Sequence, residues 1–212
     1  TPDRSKDKRS IMHVARSFDI NRPGTRPTKL RGGVIGGSII EGNFDIGDEI
    51  IIGPGRKIEK GSKSIWEPIE ATVSSMKGGG LDLESMHSGG LCGMATRLDP
   101  SITTADNLSG QVVARKGDLP EVRHSVAVEV KLMDNMVAGE GEEPEKIYPL
   151  RNNEMLMINV ATATSVGVTK NSEKGKATLD LRLPICADTG QRVSLSRRVG
   201  SRWRLIGYGT IQ

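Results

Sequence analysis

The sequence predicts an all-β protein built as two consecutive antiparallel β-barrels, and three observations predict it. Short runs of β-branched and aliphatic residues recur along the chain, each bounded by Gly, Pro, Asn or Asp. No window sustains apolar residues at helical spacing over successive turns, so helix is close to absent. A length of 212 residues suits two domains of about 100 each, and the strand-like runs fall into two successive sets. About six short strands in each set predict closure, because a closed sheet leaves no edge exposed.

The opening Thr1 to Ser10 (TPDRSKDKRS) lacks apolar residues and reads as a linker. From Ile11 the first set contains IMHVARSF, GGVIGGSII, DEIIIG, IEATVSSM, GLCGMATRL and SGQVVAR. Asn21 to Gly24, Ile46 to Asp48, Gly53 to Gly55 and Gly78 to Gly80 supply the turns between them. The second set follows Lys116 to Pro120 (KGDLP) and contains HSVAVEVKLM, EMLMINVATATSVGVTK, KATLDLRLPIC, QRVSLSRRV and RWRLIGYGTI, each read as a strand. Its alternation is clean. Val126, Val128, Val130 and Leu132 share one face, and Leu179, Leu181 and Leu183 alternate with Asp180 and Arg182. Such one-sided strands belong to an antiparallel sheet with one wet face. Ala138 to Lys146 is acidic and reads as a solvated loop. The expected organisation is a linker over 1–10, one barrel over 11–120 and a second over 121–212.

Composition narrows the function. Phe, Trp and Tyr occur twice each, so the cores must be built from aliphatic residues and Met. The net charge of +4 is a mild excess, weak support for a polyanionic partner. Cys92 and Cys186 have no CxxC neighbour, so neither a zinc knuckle nor a disulfide framework is indicated, and a reducing compartment is expected. No apolar run approaches the roughly 18 residues of a membrane span, and no signal peptide is expected before the first strand. His13, His87 and His124 are isolated and lack metal-site spacing. Asp45, Asp48 and Glu49 sit at a turn. There is no GxxxxGK[ST] phosphate loop and no GxSxG nucleophile signature, so nothing here argues for catalysis. Two features remain. The pairs Gly32-Gly33 and Gly36-Gly37 lie inside a predicted strand, where glycines allow a sharp bend or the close approach of another molecule. The run from Gln191 to Arg204 holds five arginines and no acid. With a hairpin at Val199-Gly200-Ser201 these arginines would lie close together, free to fork onto phosphates or carboxylates or simply to face solvent. Trp203 among them is either a stacking residue or a half-buried barrel side chain.

Longer stretches carry a resemblance. ARSFDINRPGT, RGGVIGGSIIEGNFDIGDEIIIGPG, SGGLCGMATRLDP, SGQVVARKG and LSRRVGSRWRLIGYG resemble, in the same order, the gamma subunit of archaeal and eukaryotic translation initiation factor two. The GGxxxGxIxxGxxxxGDE pattern is shared more widely with elongation factor Tu and its relatives, including the selenocysteine-specific factor. SFDINRPGT and LSRRVGSRWRLIGYG point to the initiation factor. The resemblance implies two barrels of the translation-factor type, domains two and three of a cytoplasmic GTPase. The intact factor is expected to deliver initiator methionyl-tRNA to the small ribosomal subunit.

The GTPase motifs are absent from these residues, so the resemblance implies a non-catalytic fragment. GTP and Mg2+ belong to the GTPase domain of the parent, as does the contact with the beta subunit. For the acceptor end of tRNA the resemblance implies Arg31, Gly32, Gly33, Val34, Ser75, Met76 and Arg97. For an alpha subunit docked on the first barrel it directs attention to two long loops, with Arg22, Pro23, Gly24 and Arg26 in Asp19 to Lys29, and Arg56, Lys57 and Trp66 in Gly53 to Glu67. Arg197, Arg198, Arg202 and Arg204 are expected to meet RNA or the GTPase domain.

Overall fold

The computed structural model describes residues 9–61, 63–136 and 145–212. Most of the linker expected before the first strand, and most of the acidic loop expected after Val137, lie outside the described residues. Two compact units divide the chain, one ending at Pro120 and the other spanning Glu121–Gln212.

In the first unit, β1 (Ile11–Phe18), β2 (Val34–Glu41), β3 (Asn43–Asp45), β4 (Glu49–Lys60) and β5 (Lys63–Gly78) are followed by four shorter strands. These are β6 (Leu81–Leu83), β7 (Ser85–His87), β8 (Leu91–Thr96) and β9 (Val112–Arg115). The order β4-β9-β1-β2-β8-β5 closes into a barrel because β5 pairs back onto β4, while β6 extends β5 and β3 pairs with β7. Met12, Val14, Ile35, Ile50, Ile52, Met76, Met94 and Val113 fill the interior, with Phe44 as its aromatic member. A core of aliphatic and Met side chains is what the scarcity of aromatics required. Each such side chain removed from water contributes about 1.5–3 kcal/mol before entropic costs.

The second unit is a closed barrel of β10 (Val122–Leu132), β11 (Met155–Val160), β12 (Ala163–Glu173), β13 (Lys176–Cys186), β14 (Arg192–Val199) and β15 (Arg202–Ile211). The alternating residues of β10 do face inward: Val126 and Val128 are buried, and Val130 and Leu132 pack against the same core. Among the described residues, helix is confined to α1 (Pro100–Thr103) and two short 3-10 turns.

Three local expectations are corrected. EMLMINVATATSVGVTK is a hairpin, not one strand: β11 turns into β12 at Ala161-Thr162, with Val160 paired to Ala163. Ala161 takes a left-handed φ of 51°, a conformation with no glycine or asparagine to announce it. Gly53 to Glu67 is largely strand rather than loop. Beyond the barrel wall β4 and β5 continue as a two-stranded ribbon, pairing Arg56 with Glu67, Lys57 with Trp66 and Ile58 with Ile65. In β13 the inward phase ends before Leu183, which is 48% exposed. Arg123 pairs with Ile185 and Ser125 with Asp180, so residues 181–184 stand opposite His124 alone, and a bulge of that size resets which side chains point inward.

Candidate nucleic-acid interface

One register row crosses the outer face of the first barrel: Phe18 opposite Val34, Val34 opposite Ala95, and Ala95 opposite Ser75. Above this row lies a groove of about 960 Å³. Arg31 and Gly32 enter it from the approach to β2, Arg97 and Leu98 from the end of β8, and Ser74, Ser75 and Lys77 from β5. Phe18, Ile20 and Leu30 form an apolar lip, each more than 40% exposed. The floor is held by polar clamps beneath it. Gly33 N–H donates to Leu98 O at 3.0 Å, and Gly33 O accepts from Thr96 N at 3.0 Å and Thr96 Oγ1 at 2.7 Å. Gly32 has no room for a side chain, since a Cβ there would overlap the Thr96 carbonyl. The close packing of backbone on backbone accounts for one glycine of this pair, and the Thr103 side chain, which occupies the space over Gly33, accounts for the other.

Of the residues implied for an acceptor end, Arg31, Gly32, Val34, Ser75 and Arg97 line the groove, while Gly33 and Met76 do not. Gly33 lies buried beneath the floor. Met76 is 1% exposed and belongs to the barrel core. The cause is a register shift between Val73 and Ser75 against β8. The extra residue turns both Ser74 and Ser75 outward, so Met76 falls inward and Lys77 outward. Ser74 and Lys77 were therefore missed, as were Phe18, Ile20 and Leu30. For Lys77 the signal was strand alternation around Met76; for the lip it was apolar residues flanking a polar loop.

The groove is positive at its rim. Among the described residues, the guanidinium groups of Arg31 and Arg97 have no hydrogen-bond or ion-pair partner. Lys77 Nζ meets Asp82 at 3.0 Å in an exposed pair that contributes little to stability. The one acid on the lining, Asp99, caps α1: its Oδ1 accepts from Ser101 N at 2.9 Å, and hydrogen bonding to Ser101 lowers its pKa below the ordinary carboxyl value. Behind the lip, Asp106 accepts from Arg16 Nε at 2.8 Å and from Ser17 N at 2.9 Å, fixing the bulged end of β1.

Two further candidate surfaces share this barrel. Arg22, Pro23, Gly24 and Arg26 are exposed on the β1–β2 loop, where Gly24 has a φ of 82°. Arg56 and Lys57 are exposed on the β4–β5 ribbon, and Trp66 is half-buried opposite Lys57. Because β1 and β4 both run antiparallel to β9, the loop and the ribbon leave the barrel at the same end. Gln111 clamps the ribbon's base, its side chain exchanging two 2.9 Å hydrogen bonds with the Gly55 backbone.

On the second barrel, the β14–β15 hairpin turns at Gly200-Ser201 and pairs Arg197 with Arg204, Arg198 with Trp203 and Val199 with Arg202. The arginines are not equivalent. Arg197 is turned inward: its guanidinium forks onto Glu154, both side chains 16% exposed, and donates to the Tyr148 carbonyl at 3.1 Å. It is a structural clip, which removes it from the surface set. Arg198 and Arg202 are exposed, Arg204 is partly buried, and Trp203 is the half-buried barrel residue. Beside them an outward row joins Val166, Met157, Ser196 and Leu205 across β12, β11, β14 and β15. Among the described residues, no group of three His, Cys, Asp or Glu could hold a metal ion, and no helix is long and apolar enough to cross a membrane.

Two consecutive antiparallel barrels of this kind are of the translation-factor type. Consistent with this fold, the solved structure of translation elongation factor SelB from Methanococcus maripaludis, in complex with the GTP analogue GppNHp, matches with a TM-score of 0.70. That match has 17% identity and covers all of this chain and 44% of that one. The family model described as initiation factor eIF2 gamma, C terminal, matches residues 124–211. Translation initiation factor 2 subunit gamma from Methanothermobacter thermautotrophicus is 49% identical over all 212 residues, 52% of its own length. The corresponding subunits of Methanocaldococcus jannaschii and Methanococcus aeolicus are also 49% identical, each covered over 51% of its length. Over its whole length the chain is therefore similar to translation initiation factor 2 gamma subunits, and it spans about half the length of the curated relatives it matches.

Proposed function

We propose that these barrels are the non-catalytic binding portion of an initiation-factor gamma subunit, and that the groove on the first holds the aminoacylated 3′ end of initiator methionyl-tRNA. The observation that carries this reading is the pair of unengaged guanidinium groups, Arg31 and Arg97, at the rim of an apolar, glycine-floored groove. A single-stranded RNA end presents phosphates and 2′-hydroxyls that guanidinium groups bind, and unstacked bases that apolar side chains cover. No group in the groove is arranged to make or break a bond, so its role is to bind and orient.

In the intact factor this portion works beside a GTPase domain, which supplies GTP and Mg2+ binding and the contact with the beta subunit. The whole delivers initiator tRNA to the small ribosomal subunit in the cytoplasm. The alpha subunit docks at the end of the first barrel where the β1–β2 loop and the β4–β5 ribbon project together. Arg22 and Trp66 are the residue types that anchor such interfaces. Arg198 and Arg202, beside the outward row of Met157 and Leu205, face RNA or the GTPase domain. The 49% identity to gamma subunits favours this over the selenocysteine-specific or Tu-like alternatives. The test is charge reversal of Arg31 and Arg97 to Glu in the reassembled full-length factor. Two lost charge-assisted contacts, about 1.5 kcal/mol or more each, weaken initiator tRNA binding by at least about a hundredfold. Unchanged affinity would overturn the assignment.

A further inference from the structure

The last backbone pair between β1 and β2 is Phe18 with Val34, yet Arg31 lies three residues further on, where no strand partner remains. One side chain takes the place of that partner. Asn21 Oδ1 accepts from Arg31 N at 2.7 Å, and Asn21 Nδ2 donates to Arg31 O at 2.8 Å. A primary amide thus satisfies both backbone groups of Arg31, as a paired strand would. The amide is itself fixed: Asp19 Oδ1 accepts from Asn21 N at 2.7 Å and from Nδ2 at 2.6 Å. The second Nδ2 hydrogen and the oxygen are therefore both committed to Arg31. Only an amide offers this donor and acceptor together, since a carboxylate at position 21 would face the Arg31 carbonyl and the Asp19 carboxylate with no hydrogen to give.

The consequence reaches the groove directly. Leu30, Arg31 and Gly32 all line it, and the Asn21 clamp grips the middle one. Beyond the clamp the loop from Arg22 to Lys29 is exposed apart from a half-buried Thr25, with a turn in which Thr25 N donates to Arg22 O at 3.1 Å. The loop buries little that could hold Arg31 in its place. We infer that Asn21 is a positioning residue for the groove: its amide, oriented by Asp19, sets Arg31 at the rim in the geometry that receives the ligand. This rests on the reading of the groove as a site for a tRNA acceptor end. Asn21 touches no ligand and acts only through Arg31.

A double-mutant cycle in this chain tests it, with an RNA oligonucleotide ending in single-stranded CCA and binding followed by amide chemical shifts, which register weak complexes. Asn21→Ala is expected to weaken binding about three- to tenfold, within the lower part of the range of couplings between neighbouring residues. In the Arg31→Ala background the same change has no further effect, a non-additivity that general loosening of the fold would not produce. The Arg31 amide, slow to exchange with solvent in the parent chain, exchanges rapidly in Asn21→Ala and Asn21→Asp, while core amides such as Ile35 and Met94 keep their protection. An Asn21→Ala loss of equal size with and without Arg31, or an Arg31 amide protected in both variants, would overturn the inference. If the parent chain shows no binding, the acceptor-end reading fails, and amide exchange at Arg31 still decides whether the clamp exists.

Discussion

Replacing Arg197 with Met removes the clip that ties β14 to the segment leading into β11. The guanidinium forks onto Glu154, donating from Nη2 to Oε2 at 3.2 Å, and its two terminal nitrogens also reach the Tyr148 carbonyl. Glu154 Oε2 additionally accepts from Arg151 N at 3.0 Å. Methionine fills much of the same volume but leaves a carboxylate, 16% exposed, without its cation. Removing one partner of a fully buried pair costs about 3–5 kcal/mol; slight exposure of this one lowers the expectation to roughly 2–3 kcal/mol. For a barrel of this size that is a fall in Tm of roughly 10 to 20 °C. Trp203 reports on this barrel, and Trp66→Phe silences the tryptophan of the other. Urea titration followed by Trp203 fluorescence should therefore shift to lower denaturant with unchanged slope. Replacing both Arg197 and Glu154 with Met should be less damaging than replacing Arg197 alone. A loss below about 0.5 kcal/mol for Arg197→Met would refute the clip and return Arg197 to the surface set.

Three other outcomes follow from the same structure. Thr169 is fully buried in β12 and its hydroxyl has no hydrogen-bond partner among the described residues, so Thr169→Val should stabilise the second barrel by about 1 kcal/mol in the same titration. Gly32→Ala should lower the stability of the first barrel by more than about 2 kcal/mol, while Gly36→Ala, where a Cβ meets nothing closer than 3.7 Å, should be nearly neutral by thermal melting. Burial raises the thiol pKa of Cys92 from 9.0 to about 11 and that of Cys186 to about 12, so neither should react with a disulfide reagent at pH 8 until its barrel opens. Because the folded state holds these protons more tightly, their contribution to stability is complete below pH 9 and is lost as pH rises through the folded values.

How far the sequence revealed this molecule depends on where alternation holds. In β10 the period-two pattern of Val126 and Val128 reads through to the buried face without interruption, and the two-barrel architecture follows from many such runs. Where a bulge intervenes the period slips and the sequence is silent about it. Two small polar residues, Ser74 and Ser75, both turn outward in β5, which moved Met76 from the groove to the core. In β13 the slip opposite His124 exposed Leu183. The hairpin at Ala161-Thr162 was hidden because a left-handed alanine carries no compositional mark. The arginines of the last hairpin were correctly brought together by their spacing, but only the inward turn of Arg197 towards Glu154, distant in sequence, separates a structural cation from those at the surface. The groove's arginines were legible through family resemblance; its apolar lip and the Asn21 clamp depend on how a loop folds back.

Whether the groove of the first barrel receives the acceptor end is read most directly from an amide chemical-shift titration of this chain with a methionylated RNA minihelix ending in CCA. Shifts centred on Arg31, Gly32, Ser75, Lys77 and Arg97, larger for the methionylated than the uncharged RNA, are the predicted result. Shifts confined to the β14–β15 hairpin, or a first barrel left unmoved at millimolar RNA, would contradict it.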